Sequence, residues 1–193
     1  MVMMLPGLVA AQGLMPEWEL KPKLQEVIEQ TRRFTPLLEK IDPQEWTKDG
    51  APASYVTQRQ TALDEIRYLE QTARGLMAKP DRMTLALEAF ARMQSIEARV
   101  VSLSAAVRRY QNPAVADLLD GLMSETAASR ETIRQYAWEL VAQREQEMSI
   151  LEKEAQRCRI NSTRVVTPSQ PQARPANPLP PSPVNTNSNS PKK

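Results

Sequence analysis

The 193-residue sequence predicts an all-α fold: an antiparallel four-helix bundle with a long C-terminal helix and a disordered tail rich in Pro, Asn and Ser. Three observations carry that expectation. Apolar residues recur at three- and four-residue spacing through four long segments, with almost no strand-like alternation. Proline-containing caps and turns separate those segments. From Ile160 onward the apolar content is too low for a core, and half of the sixteen prolines lie there. The chain thus divides into an apolar segment at 1–13, a helical body at 14–159 and a tail at 160–193.

The first segment, MVMMLPGLVAAQG, runs out at Val9-Ala10-Ala11, small residues of the kind a signal peptidase accepts before Gln12. It reads as the back half of a secretory signal without its basic start, which places the protein in the periplasm or outside the cell. The alternative is a cytoplasmic protein whose apolar arm packs on the body. The stretch falls short of the about 20 apolar residues that cross a bilayer. No other segment comes closer, so no integral membrane span is expected.

Pro22 suits a first helical position, and after it Leu24, Val27, Ile28, Thr31, Phe34, Leu38 and Ile41 form one stripe, with Pro36 expected to kink or end the helix. Asp42-Pro43 reads as a cap followed by proline at N1, and Asp49-Gly50-Ala51-Pro52 breaks the chain again. Trp46, on this connection, is expected to plug one end of the bundle. The second helix starts near Ser54 and sets Tyr55, Ala62, Ile66, Leu69, Ala73 and Leu76 on one face, with Val56, Leu63 and Met77 beside them. Lys79-Pro80-Asp81 closes it and caps the next. Along the third helix Ala89, Met93, Ile96, Val100, Leu103, Val107 and Tyr110 follow a period of about 3.5, the spacing of bundle packing.

Asn112-Pro113 caps the last helix, which is predicted to run unbroken to about Arg159, on the order of 70 Å against about 45 Å for its predecessor. Its end must overhang. Val115, Leu118, Leu119, Leu122, Ile133, Tyr136, Ala137, Leu140 and Val141 are expected to pack in the bundle. From Arg144-Glu145-Gln146-Glu147-Met148 the chain turns charged, with Ile150 and Leu151 as isolated apolar points. Such an end is either a solvated helix terminus or, through Met148 and Leu151, a docking face for a protein partner or a second copy. Trp138, off the main stripe, is expected to be partly exposed and is the third docking candidate. The tail composition favours a solvated spacer, with Pro175-Ala176-Asn177-Pro178 as a weak PxxP-type ligand.

No histidine occurs in the sequence, which removes Ser-His-Asp and Cys-His nucleophile systems, His-ligated haem and the Glu-x-x-His di-iron motif. Phosphate loops are missing too, and the five glycines do not cluster. Of the net charge of +2, four positive charges and no acid lie from Ile160 onward, so the preceding residues carry −2. A near-neutral body of that kind argues against nucleic acid as a partner. Cys158 is the single cysteine, so no intramolecular disulfide can form, and its neighbours Arg157 and Arg159 favour the thiolate.

Two binding chemistries survive this screen. Glu70 and Glu97 stand at the edges of their apolar faces and could converge on a metal, but edge acids more commonly pair with arginine, and Arg59 holds an equivalent flank. The small residues from Ser124 to Ser129, with Ser102 to Ala106, leave either close helix contact or a void for an apolar ligand. The expectation is therefore a non-catalytic interaction or structural module, with no catalytic residue, cofactor or metal assigned. The alternative is a carrier or sensor that binds a small apolar ligand or metal between helices.

Overall fold

The computed structural model describes residues 14–165; the signal-like segment at 1–13 and the Pro-rich tail, with its PxxP-type stretch, lie outside the described residues. Every regular element among the described residues is helical. In order they are α1 (Glu17–Arg32), α2 (Phe34–Lys40), α3 (Pro43–Lys48), α4 (Ser54–Ala78), α5 (Met83–Tyr110), α6 (Pro113–Glu125) and α7 (Ala127–Val165). The described residues up to Leu151 form one compact unit, a helical bundle, and those from Glu152 onward belong to a second. In the second unit the described residues belong to α7 and are exposed from Glu152 to Ser162. No described helix is long and apolar enough to cross a membrane.

The stripes read from sequence are the core. Leu24, Val27, Ile28, Phe34, Leu38 and Ile41 are buried, as are Ile66, Leu69, Ala73 and Leu76 from α4 and Met93, Ile96, Val100, Leu103 and Val107 from α5. α5 runs antiparallel to α4 on one side and to α6 on another. On α4 and α5, Glu65 pairs with Arg92 while Gly75 lies against Leu85. On α5 and α6, Ser104 reaches Asp120 while Arg108 reaches Asp117. α7 continues that line along α5, where Arg130 pairs with Glu97. α1 bonds α4 through Arg32 and Glu70.

Local chemistry sets the breaks. Pro36 has no N–H for the Arg32 carbonyl, and α1 ends at Arg32 with α2 starting at Phe34. Asp42 accepts from the Gln44 and Glu45 backbone, with Pro43 at N1, and Gly50 turns the chain at φ +83°. Asn112 accepts from the Ala114 N–H at 2.9 Å and caps α6 ahead of Pro113. Removing that acceptor in Asn112→Ala is expected to lower unfolding free energy by about 1 kcal/mol. Urea unfolding would show it as a lower midpoint at unchanged slope.

The structure corrects six details. α1 starts at Glu17, so Pro22 sits inside the helix instead of opening it, and Leu20 adds a buried turn to the stripe. The Trp18 carbonyl, which loses the amide of residue 22, belongs to a highly exposed residue within reach of water. Asp81 does not cap α5, whose N-cap position is Arg82; it engages Arg144 instead. The last helix is interrupted at Thr126, whose hydroxyl bonds the Met123 carbonyl and competes with the helical ladder. Leu118 is exposed, because α6 turns it toward a groove beside α2 rather than into the core. Arg59 pairs with no acid and instead donates to the Leu38 and Glu39 carbonyls, which closes the C-terminal end of α2. The helix itself reaches Val165, beyond the end anticipated near Arg159.

Candidate functional site

The first half of α7 is anchored at three places. Arg130 pairs with Glu97 on α5 at 3.0 Å. Tyr136, 1 % exposed, donates its hydroxyl to the Pro80 carbonyl at 2.6 Å. Arg144 donates to the Asp81 carbonyl at 3.2 Å, lies 3.6 Å from the Asp81 carboxylate and holds Glu147 at 2.7 Å. Both of the last two anchors grip the turn between α4 and α5. Burial, with the negative charges of Asp81 and Glu17, pushes the Tyr136 hydroxyl above its ordinary pKa, so it stays a neutral donor at physiological pH.

These anchors bring Met148 and Leu151 beside the start of α5. With Asp81, Arg82, Met83 and Arg144 they line an open groove of about 530 Å³. Met148 is 62 % and Leu151 63 % exposed. An exposed thioether and an exposed leucine beside a half-buried Met83, rimmed by Asp81, Glu147 and two arginines, make an adaptable apolar contact with a charged border. Trp138 is 54 % exposed, as its place off the stripe implied, but it does not line this groove. The structure therefore joins two of the three docking candidates and leaves the third apart.

Trp46 is the plug expected of it, 2 % exposed and set between Tyr55 and Tyr110. Trp18, 75 % exposed, went unnoticed in the sequence. The signal was present: it precedes buried Leu20 by two residues, which puts it on the other side of α1.

The metal candidates are both taken up by guanidinium. Arg32 and Arg74 bond Glu70, Arg74 at 2.8 Å, and the Arg32 hydrogen bond leads in holding the Glu70 carboxyl below its usual range. Glu97 is engaged by Arg130. Among the described residues no three His, Cys, Asp or Glu side chains stand close enough to share an ion. Cys158 is exposed. Of the small-residue segments, Thr126 borders a void of about 10 Å³ with Thr31, Phe34, Met93, Met123 and Arg130, room for roughly one water, whereas Ser124, Ala127, Ala128 and Ala105 are exposed.

Compared with protein-family models, curated proteins and solved structures, the chain matches none.

Proposed function

We propose that the chain is a non-catalytic interaction module whose docking element is α7, with a second copy of the chain as its partner. The observation that carries this reading is the pair Met148 and Leu151, exposed one turn apart on a groove with Met83. Large apolar side chains held in water along one helix gain by burial against another surface. Charge order supports a second copy: four glutamates from Glu145 to Glu154, with Lys153 among them, precede Arg157 and Arg159, so two copies of α7 laid antiparallel set a mainly acidic stretch against a basic one.

The body that presents α7 is, on this reading, an antiparallel four-helix bundle built from α1 with α2, α4, α5, and α6 with α7. The antiparallel pairings support it. Export to the periplasm or beyond is part of the proposal and rests on residues 1–13, with a cytoplasmic module as the alternative. The slightly acidic body supports a protein partner over nucleic acid. A carrier with an apolar ligand between the helices has less behind it, given that the void lined by Phe34, Met93 and Met123 in the core is roughly water-sized.

Sedimentation velocity across a hundredfold concentration range tests the proposal. The wild-type chain is expected to shift from monomer to dimer, and Met148→Lys with Leu151→Lys to stay monomeric while unfolding within about 0.5 kcal/mol of wild type, because both side chains are exposed. A wild-type chain that remains monomeric, or a double variant that still dimerises, sinks self-association through α7.

A further inference from the structure

The face shared by α4 and the middle of α5 holds polar groups with nothing to bond. Ser54, Thr57, Gln58, Thr61, Arg99 and Ser102 line a groove there of about 580 Å³. Arg99 Nε and Gln58 Oε1 are both shut off from solvent and have no hydrogen-bond partner. One is a cationic donor and the other an acceptor. The arginines that share this half-buried state are otherwise provided for: Arg92, Arg130 and Arg144 face carboxylates, and Arg59 holds two carbonyls. Arg99 has only the Ser95 carbonyl of its own helix, at 3.4 Å.

The surroundings leave the positive charge standing. The nearest acids along α4, Asp64 and Glu65, are committed to Arg67 and Arg92, and Glu97 is committed to Arg130. The first turn of α4, which contributes Ser54 and Thr57 to the groove, contains no acid and no side-chain cap. A guanidinium without a counter-charge, hydroxyls around it and a hidden carbonyl acceptor together define what fits: an anionic oxygen for Arg99 and a hydroxyl proton for Gln58 Oε1. A bare carboxylate answers only the first. Hydroxycarboxylates and hydrogen phosphate answer both.

We propose that the groove between α4 and α5 is a binding site for a small oxyanion that also carries a hydroxyl, held by the Arg99 guanidinium and the Gln58 carboxamide. The site stands on its own groups and does not depend on docking through α7.

The test is an NMR titration of the ¹⁵N-labelled full chain, following the arginine Nε–Hε signals at constant ionic strength. Inorganic phosphate, glycolate and acetate serve as probes. One Nε–Hε signal, missing in Arg99→Gln, is expected to shift saturably with phosphate or glycolate, at an affinity about tenfold above that for acetate. Gln58→Leu keeps the volume, removes the acceptor and is expected to erase that tenfold preference. The tighter of phosphate and glycolate identifies the ligand class. Absence of a saturable shift, the same shift in Arg99→Gln, or acetate binding as well as the hydroxylated anions overturns the site. A folded Gln58→Leu that retains the preference does so too.

Discussion

Replacing Tyr136 with alanine is expected to cost about 3–5 kcal/mol of unfolding free energy, a large share of the stability of a domain this size. Tyr136 is one of the largest fully buried side chains and sits between Ile133, Ala137 and Leu140 on the α7 core stripe. Truncation opens a cavity and also removes the donor that ties α7 to the Pro80 carbonyl. Tyr136→Phe separates the two effects, because it keeps the ring and loses only the 2.6 Å hydrogen bond; about 1 kcal/mol is expected from that change. The same residue gives the fold an alkaline limit. Burial first, then Asp81 and Glu17, raise the folded-state pKa of the phenol above its unfolded value of about 10, so its contribution is complete below that pH and is lost as pH rises through the folded value. Wild type is expected to lose stability above about pH 10 more steeply than Tyr136→Phe, which has no phenol to ionise. Urea midpoints of the two proteins at pH 8 and pH 10.5 read the difference.

Trp46→Ala is expected to cost a similar about 3–5 kcal/mol. α3 is only six residues long, too short to hold itself as a helix, and it stays in place because its tryptophan inserts into the end of the bundle. The indole packs edge-on to Tyr55 at 6.1 Å between centroids and stacks on Tyr110 at 6.3 Å. Those two rings belong to the first turn of α4 and the last residue of α5, so one side chain secures three elements. Trp46→Phe keeps an aromatic body and is expected to lose about half as much, since part of the area and of the ring geometry survives. The alanine variant should also lose near-UV circular dichroism from the tyrosines while keeping its far-UV helical signal. An alanine variant that unfolds at the wild-type midpoint removes Trp46 from its role as plug.

Much of this architecture was legible in the sequence because it is local. The stripe from Leu24 to Ile41, the Asp42-Pro43 and Asn112-Pro113 caps and the disruption at Pro36 each follow from residues within one or two turns. What escaped depends on partners distant along the chain. Pro22 looked like a helix start because Pro favours that position, yet the burial of Leu20 extends α1 past it. Asp81 looked like a cap until Arg144, 63 residues away, claimed it. Leu118 matches the α6 stripe about as well as Leu119 does, and only the position of α2 decides that it faces a groove. The candidate site divides the same way. The exposure of Met148, Leu151 and Trp138 followed from their place in a charged or off-stripe context. The groove that joins Met148 and Leu151 to Met83 did not, because the α4–α5 turn supplies its other wall. The unpaired state of Arg99 was equally out of reach, since it arises from which acids the other arginines occupy.

The docking role proposed for α7 joins these features, since Tyr136, Arg130 and Arg144 fix the helix on the bundle and leave Met148 and Leu151 in the open. Hydrogen–deuterium exchange on the full chain at low and high protein concentration tests that role residue by residue. Amides from about Arg144 to Ile160 are expected to exchange quickly in the dilute protein and to become protected in the concentrated one, with the core of α4 and α5 unchanged. Equal exchange along α7 at both concentrations, or protection gained on another face while α7 stays open, would contradict the account.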